Sequence, residues 1–147
     1  MSYKSVELFI DGASQGNPGE AGIGVVICHK GEVIKNFSKS IGIATNNVAE
    51  YYALIYGLQE VLILRAAEVT VNTDSELLAR QLNNLYKVKN AALKPLYEQV
   101  RHLFSGFASV KINHIPRQLN RGADKLATEA INPVRKGKVF NQPSFLK

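Results

Sequence analysis

The stretch VELFIDGASQGNPGEAG, residues 6–22, organises the reading of this 147-residue chain. Val6, Leu8 and Ile10 are apolar at every second position, the period of a half-buried β-strand. The alternation stops at Asp11. Four glycines and Pro18 follow, so residues 11–22 read as a turn-rich loop closing that strand. Ile23 to His29 is an apolar run rich in β-branched residues, and Lys30-Gly31 is a two-residue turn. Glu32 to Ile41 alternates again, so the second and third strands form a hairpin. The three together predict an antiparallel meander whose first strand ends on a carboxylate.

Beyond the meander the period changes. Thr45 or Asn46 can cap a helix, and Asn47-x-x-Glu50 has the spacing of a capping box. Ala49, Tyr52, Ala53, Tyr56, Leu58, Val61 and Leu62 make a broad apolar face, as expected for a helix buried on more than one side. Val69, Val71 and Thr73 mark a fourth strand ending at Asp74, and Ser75 opens a short helix. A further helix starts near Leu93, with Pro95 tolerated in its first turn. Residues 110–115 read as a fifth strand, and Asn120 as the cap of a last helix through Ala130. The expected fold is α/β, a five-stranded mixed sheet flanked by helices. It divides into a domain over residues 1–132 and a tail over residues 133–147 with no periodic pattern.

Composition sets the outer limits. The chain is 46% hydrophobic and 20% charged, as in an ordinary globular domain. Cys28 is its one cysteine, which excludes a disulfide scaffold and fits a reducing, cytoplasmic setting. No uncharged apolar run reaches about 18 residues, so no membrane partner is expected. The net charge is +6. Residues 1–110 balance, with ten basic and ten acidic side chains, whereas residues 111–147 carry eight basic against two acidic. Such asymmetry suggests a polyanionic partner, against the plain alternative of a solvated tail.

Four carboxylates sit where elements begin or end. A long helical crossover allows the fourth strand to lie parallel to the first, about 4.8 Å away, so Asp11 and Asp74 would converge. Glu50, near the start of the crossover helix, and Asp124, ten residues after His114, can face the same edge. Like charges that close call for a cation, and an oxygen-only ligand set suits Mg²⁺ or Mn²⁺. A two-metal site of this kind serves phosphodiester cleavage. Taken singly, each carboxylate reads better as a cap or turn residue; for all four at converging element ends that reading is weak. Gly12 and Gly16 permit close approach of backbone to a substrate, or only shape the loop. Neither a dinucleotide fingerprint nor a phosphate-loop lysine is present.

DGASQGNPGEAG (residues 11–22), TNNVAEYYAL (45–54), TDSELL (73–78) and HIPRQLNRGADKLA (114–127) occur in the order seen in type 1 ribonuclease H, which the chain resembles from residue 6 to residue 131. The resemblance implies hydrolysis of the RNA strand of an RNA–DNA hybrid, leaving 5′-phosphate and 3′-hydroxyl ends. It maps the family's catalytic, metal-binding carboxylates onto Asp11, Glu50, Asp74 and Asp124, with two ions bound in the presence of substrate. Asp11 would be shared between the ions, Asp124 would complete one site, and Glu50 with Asp74 the other. Asn17, Asn46 and Asn47 match minor-groove contacts, Thr45 a phosphate contact, and Gly12, Lys89 and Asn90 further substrate contacts. Asn17-Pro18-Gly19 is also a good turn, and Asn46-Asn47 a good helix start.

His114 has the spacing of a residue that assists product release in many members. In the branch with an H-x-P-R pattern, Arg117 is the candidate for that role. An arginine binds phosphate but cannot act as a base. The basic insertion of many members is missing between residues 81 and 93, so the basic tail is expected to help hold the hybrid. A rival reading has Phe140 and Phe145 pack the tail onto the sheet. A monomer is expected. The competing functions are a non-catalytic nucleic-acid-binding module of the same fold, and a nuclease that also cuts double-stranded RNA.

Overall fold

A computed structural model describes residues 3–131 of the chain. The tail over residues 133–147, and its expected part in holding substrate, lie outside the described residues. The strands are β1 (Tyr3–Gly16), β2 (Gly19–His29), β3 (Glu32–Ala44), β4 (Ala66–Thr73) and β5 (Ser109–His114). The helices are α1 (Asn46–Ile63), α2 (Glu76–Leu82), α3 (Lys94–Phe104) and α4 (Arg121–Ala130), with a single 3₁₀ turn at Arg117–Leu119. The strands form one sheet in the order β3-β2-β1-β4-β5. β1 pairs antiparallel with β2 and β2 with β3, while β1–β4 and β4–β5 are parallel. The mixed sheet and its crossover are as expected from the sequence.

The expected loop over residues 11–22 is not a loop. β1 runs on through Asp11 to Gly16, and its pairing with β2 continues from Asp11–Gly24 to Gly16–Gly19. Only Asn17 and Pro18 remain as a turn. The glycines that look like turn formers are paired strand residues: α1 lies on Gly12 and α4 on Gly22, while Gly16 and Gly19 fold against the backbone of their own hairpin. β3 likewise extends to Ala44 rather than Ile41, and β5 begins and ends one residue earlier than read. The Lys30-Gly31 turn is present, both residues in the left-handed region.

Strand parity sorts the two faces of the sheet. Val6, Leu8 and Ile10 of β1, with Ile23, Val25 and Ile27 of β2, point to one side and are all at most 3% exposed. Their partners in the core are Tyr51, Leu54, Leu58 and Val61 of α1 and Val100 of α3. Each buried Leu or Ile side chain contributes roughly 2 kcal/mol through apolar burial, so this face anchors the domain. The alternate positions of β2 face α4. A Cβ on Gly24 would lie 2.0 Å from the Ala123 carbonyl oxygen, so α4 rests directly on the β2 backbone. Helices thus cover both faces, and the N-terminal ends of α1 and α4 open onto one cleft at the same end of the sheet.

Candidate active site

β4 ends where β1 is still running. Their last parallel pair is Ile10–Thr73, so Asp11 and Asp74 each lie one residue beyond the same rung. Asp11 is therefore mid-strand rather than at a strand end, and still meets Asp74. Glu50 comes from the opposite layer, in the second turn of α1. A Cβ on Gly12 would stand 2.4 Å from the Ala49 carbonyl carbon and 2.5 Å from the Glu50 nitrogen, so backbone lies on backbone here. One carboxylate oxygen from each of Asp11, Glu50 and Asp74 falls within 4.8 Å of the others. Asp124, in the first turn of α4, lines the same cleft with Asn46 and Arg117.

The plain readings of these carboxylates fail where they can be checked. Thr45 caps α1, its Oγ1 accepting from the Val48 backbone N–H at 3.2 Å, so the box expected between Asn47 and Glu50 does not form. Glu50 is instead buried, 9% exposed. Ser75 caps α2 by accepting from the Leu78 N–H at 3.1 Å, which leaves Asp74 free of that task.

The electrostatics are unfavourable without a cation. Burial, then the charges of Asp74 and Asp124, push the Asp11 carboxyl up to about 8. Burial, then Asp11 and Asp74, hold Glu50 well above the usual carboxylate range, with the Gly12 backbone pulling back in part. Glu50 Oε1 is buried with no hydrogen-bond partner. Among the described residues the one ion pair here is Arg117 to Asp124, at 3.5 Å. An orphaned buried oxygen, crowded uncompensated charge and an oxygen-only donor set together fit a hard divalent cation.

A family model described as reverse transcriptase-like matches residues 9–130. A ribonuclease H of Pseudomonas putida is 37% identical over 146 residues, which take in 89% of this chain and 96% of that one. The chain belongs to the ribonuclease H family. A bifunctional protein of Mycobacterium tuberculosis is 42% identical over 124 residues, 83% of this chain, and the match spans 34% of the length of that relative. The solved structure of LC11-RNase H1 in complex with RNA/DNA hybrid superposes with a TM-score of 0.83 at 40% identity, covering 89% of this chain and 99% of that one.

Around the carboxylates of this chain, two asparagines are locked in direction. Asn17 Oδ1 accepts from the Asn46 backbone N–H at 2.9 Å. Asn46 Oδ1 accepts from the Ser14 backbone N–H at 3.0 Å and from Ser14 Oγ at 3.1 Å. A backbone N–H only donates, so each amide has its oxygen tied inward and its Nδ2 left as a donor. Ser14 had no place in the sequence reading; its signal was its neighbourhood, three residues after Asp11. Asn47 is exposed on the first turn of α1.

Lys89 and Asn90 are placed apart from the carboxylate cleft, between α2 and α3. Asn90 Oδ1 accepts from the Ala92 N–H at 2.7 Å and from the Leu93 N–H at 3.3 Å, opening the turn into α3. His114 ends β5 and does not line the cleft, whereas Arg117 does.

Asn120 is the residue whose role the sequence reading mistook. Its type and position suit a helix cap, yet its side chain makes no capping bond to α4. A cap of this kind contributes about 1 kcal/mol. The side chain turns inward instead and is 1% exposed. Its Nδ2 donates to the Ile10 carbonyl oxygen at 2.8 Å and to Asp74 Oδ2 at 3.1 Å. The available signal was spacing, since Asn120 precedes Asp124 by four residues and so shares its helix face.

Proposed function

We propose that this ribonuclease H hydrolyses the RNA strand of RNA–DNA hybrids endonucleolytically, leaving 5′-phosphate and 3′-hydroxyl ends. The observation that carries the reading is the set of three carboxylates, from three elements, with oxygens within 4.8 Å and none of them in an ion pair among the described residues. A module that only bound nucleic acid would gain nothing from such charge near phosphates. Asp11 would hold both of two Mg²⁺ or Mn²⁺ ions, with Asp124 completing one position and Glu50 with Asp74 the other. When bound, such ions supply an activated water and offset charge on the leaving 3′-oxygen.

The chain's own groups would do the rest. Asn17 and Asn46 present Nδ2 donors, suited to the acceptor atoms of a minor groove and to the lone pairs of a 2′-hydroxyl, the group that separates RNA from DNA. Thr45, Asn47, Gly12, Lys89 and Asn90 are proposed as further substrate contacts, the last two along the strand furthest from the carboxylates. The partner is therefore the hybrid duplex, and the working form a monomer.

The test is cleavage of labelled hybrid, duplex RNA and duplex DNA with Mg²⁺, Mn²⁺ or chelator. Cleavage confined to the RNA strand of the hybrid and abolished by chelator is the expected result. Cleavage of duplex RNA as well would widen the substrate range, and no hybrid cleavage with either ion would end the proposal.

Arg117 is proposed to assist the reaction by holding phosphate, in preference to His114. Its side chain is 79% exposed and its contact with Asp124 is long, so it is free to swing to a bound strand. An exposed pair of this kind adds less than about 1 kcal/mol to stability. Arg117→Ala should thus lower kcat by about 10–100-fold while Tm stays nearly unchanged. His114→Ala should leave kcat within about threefold of the parent, and the reverse ranking in steady-state assays would assign the role to the histidine.

A further inference from the structure

We infer that Asn120 is a positioning residue that aims the Asp74 carboxylate and ties it to the Asp11 strand, and so sets the affinity of the cluster for divalent cations. The inference rests on the metal-dependent reading above and adds to it a residue outside the four carboxylates.

The geometry is specific. Nδ2 carries two hydrogens, and both are used: one on the carbonyl of Ile10, the residue before Asp11, the other on Asp74 Oδ2. Both partners only accept, so the amide can face them in one orientation. The opposite atom, Asn120 Oδ1, is buried without a hydrogen-bond partner. The side chain is therefore turned by its two donor bonds and by nothing on its other side. α4 begins from the same residue, since the Asp124 N–H donates to the Asn120 carbonyl oxygen at 3.0 Å. One residue thus joins β1 at Asp11, the end of β4 at Asp74, and the helix that carries Asp124.

The chemistry of the group suits the task. Asp74 lies just past the end of its strand, and this amide is the one hydrogen-bond partner of its side chain among the described residues. Fixing Oδ2 leaves Oδ1 with a defined direction for a ligand. A lysine or arginine in this place would also fix the carboxylate, but would offset its charge and compete with the cation. A neutral donor orients Asp74 and leaves its charge available. The missing cap on α4 is consistent with this, because a locally favoured arrangement has been given up at a functional site.

The test is calorimetric titration of Mn²⁺ into the wild type, Asn120→Ala and Asn120→Ser, without nucleic acid, alongside Tm in chelator and hybrid cleavage as a function of Mn²⁺. Loss of such an outer partner weakens metal binding by about 10–100-fold, and that is expected for Asn120→Ala. Asn120→Ser keeps one donor and should fall between, and it serves if the alanine protein does not fold. Saturating Mn²⁺ should restore most of kcat in both, with KM for hybrid unchanged. A lowered Tm with Mn²⁺ affinity within about twofold of wild type would reduce Asn120 to a structural residue and overturn the inference. Wild-type protein that binds no Mn²⁺ would overturn the metal-dependent reading itself, a result distinct from unchanged affinity in the variants.

Discussion

Asp11→Asn should abolish hybrid cleavage, by about a thousandfold or more, and make the metal-free protein more stable at pH 8. The two effects have one cause. Asp11 is 5% exposed, and burial with the charges of Asp74 and Asp124 pushes its carboxyl up to about 8, from 3.8 in an unhindered chain. Below 3.8 it is neutral in both folded and unfolded protein, and its folded-state contribution is fully present. Between 3.8 and about 8 the folded protein binds more protons than the unfolded chain, so stability falls as pH rises and levels off above about 8. Glu50 is shifted in the same direction, also first by burial. Asparagine keeps the shape and removes the ionisation. In chelator at pH 8 the substitution should therefore raise stability by on the order of 2–4 kcal/mol, or roughly 5–10 °C in Tm. The gain should shrink toward pH 4. Saturating Mn²⁺ should raise the Tm of the wild type at pH 8 and close the gap, because a bound cation stabilises the ionised carboxylates. Thermal melts across pH 4–9 with and without Mn²⁺, beside a cleavage assay, measure all of this. A fully active Asp11→Asn protein would remove Asp11 from the centre of the site. A Tm difference indifferent to pH would mean that its charge is compensated by something else.

The order of elements was legible because the local and tertiary preferences agree. Val6, Leu8 and Ile10 alternate and are buried on one face; Ser75 and Pro95 open helices where residues of their type should. The misread places are those where distant contacts decide. Residues 12–16 look like a loop in one dimension, because glycine and small polar residues favour turns. In three dimensions Gly12 is small because α1 lies on it, and Gly24 because α4 does. Asn120 looks like a cap, and whether it caps α4 or turns inward depends on a carbonyl 110 residues away. The carboxylates were legible as candidates by position, each next to an element boundary. The convergence of Asp11 and Asp74 was legible too, from the crossover that makes their strands parallel; what was not is that Asp11 reaches Asp74 from the middle of a strand that overruns its neighbour. Nor was the direction of the two amides, which depends on Ser14 and on the backbone of α1.

Gly12→Ala is expected to damage stability and catalysis together, although it adds one methyl group. The new Cβ would meet Ala49 C at 2.4 Å, Glu50 N at 2.5 Å and Ala49 O at 2.7 Å. All three are backbone atoms of a helix packed along the sheet, so no side chain can rotate away. Relief requires α1 to lift off β1 by about 1 Å, which opens the face that buries Leu8, Leu54 and Leu58. Overpacking of this kind destabilises by about 3 kcal/mol. Glu50 rides on the displaced turn and would move away from Asp11, and a misplacement near 1 Å at a reacting centre lowers kcat by about 100-fold. The result separates two roles for this glycine. If it served only close approach of a substrate to the strand, KM would rise while Tm stayed put. If it serves the contact between β1 and α1, Tm and kcat fall together and added Mn²⁺ does not recover the rate. Gly122→Ala is the control, since its Cβ would lie 3.5 Å from Val26 Cγ2, an ordinary contact between α4 and β2. It should be neutral or stabilise by up to about 1 kcal/mol through helix propensity. Wild-type Tm and kcat in Gly12→Ala would show that α1 can yield without moving Glu50, and the carboxylate cluster would then owe its geometry to something other than the backbone contact at Gly12.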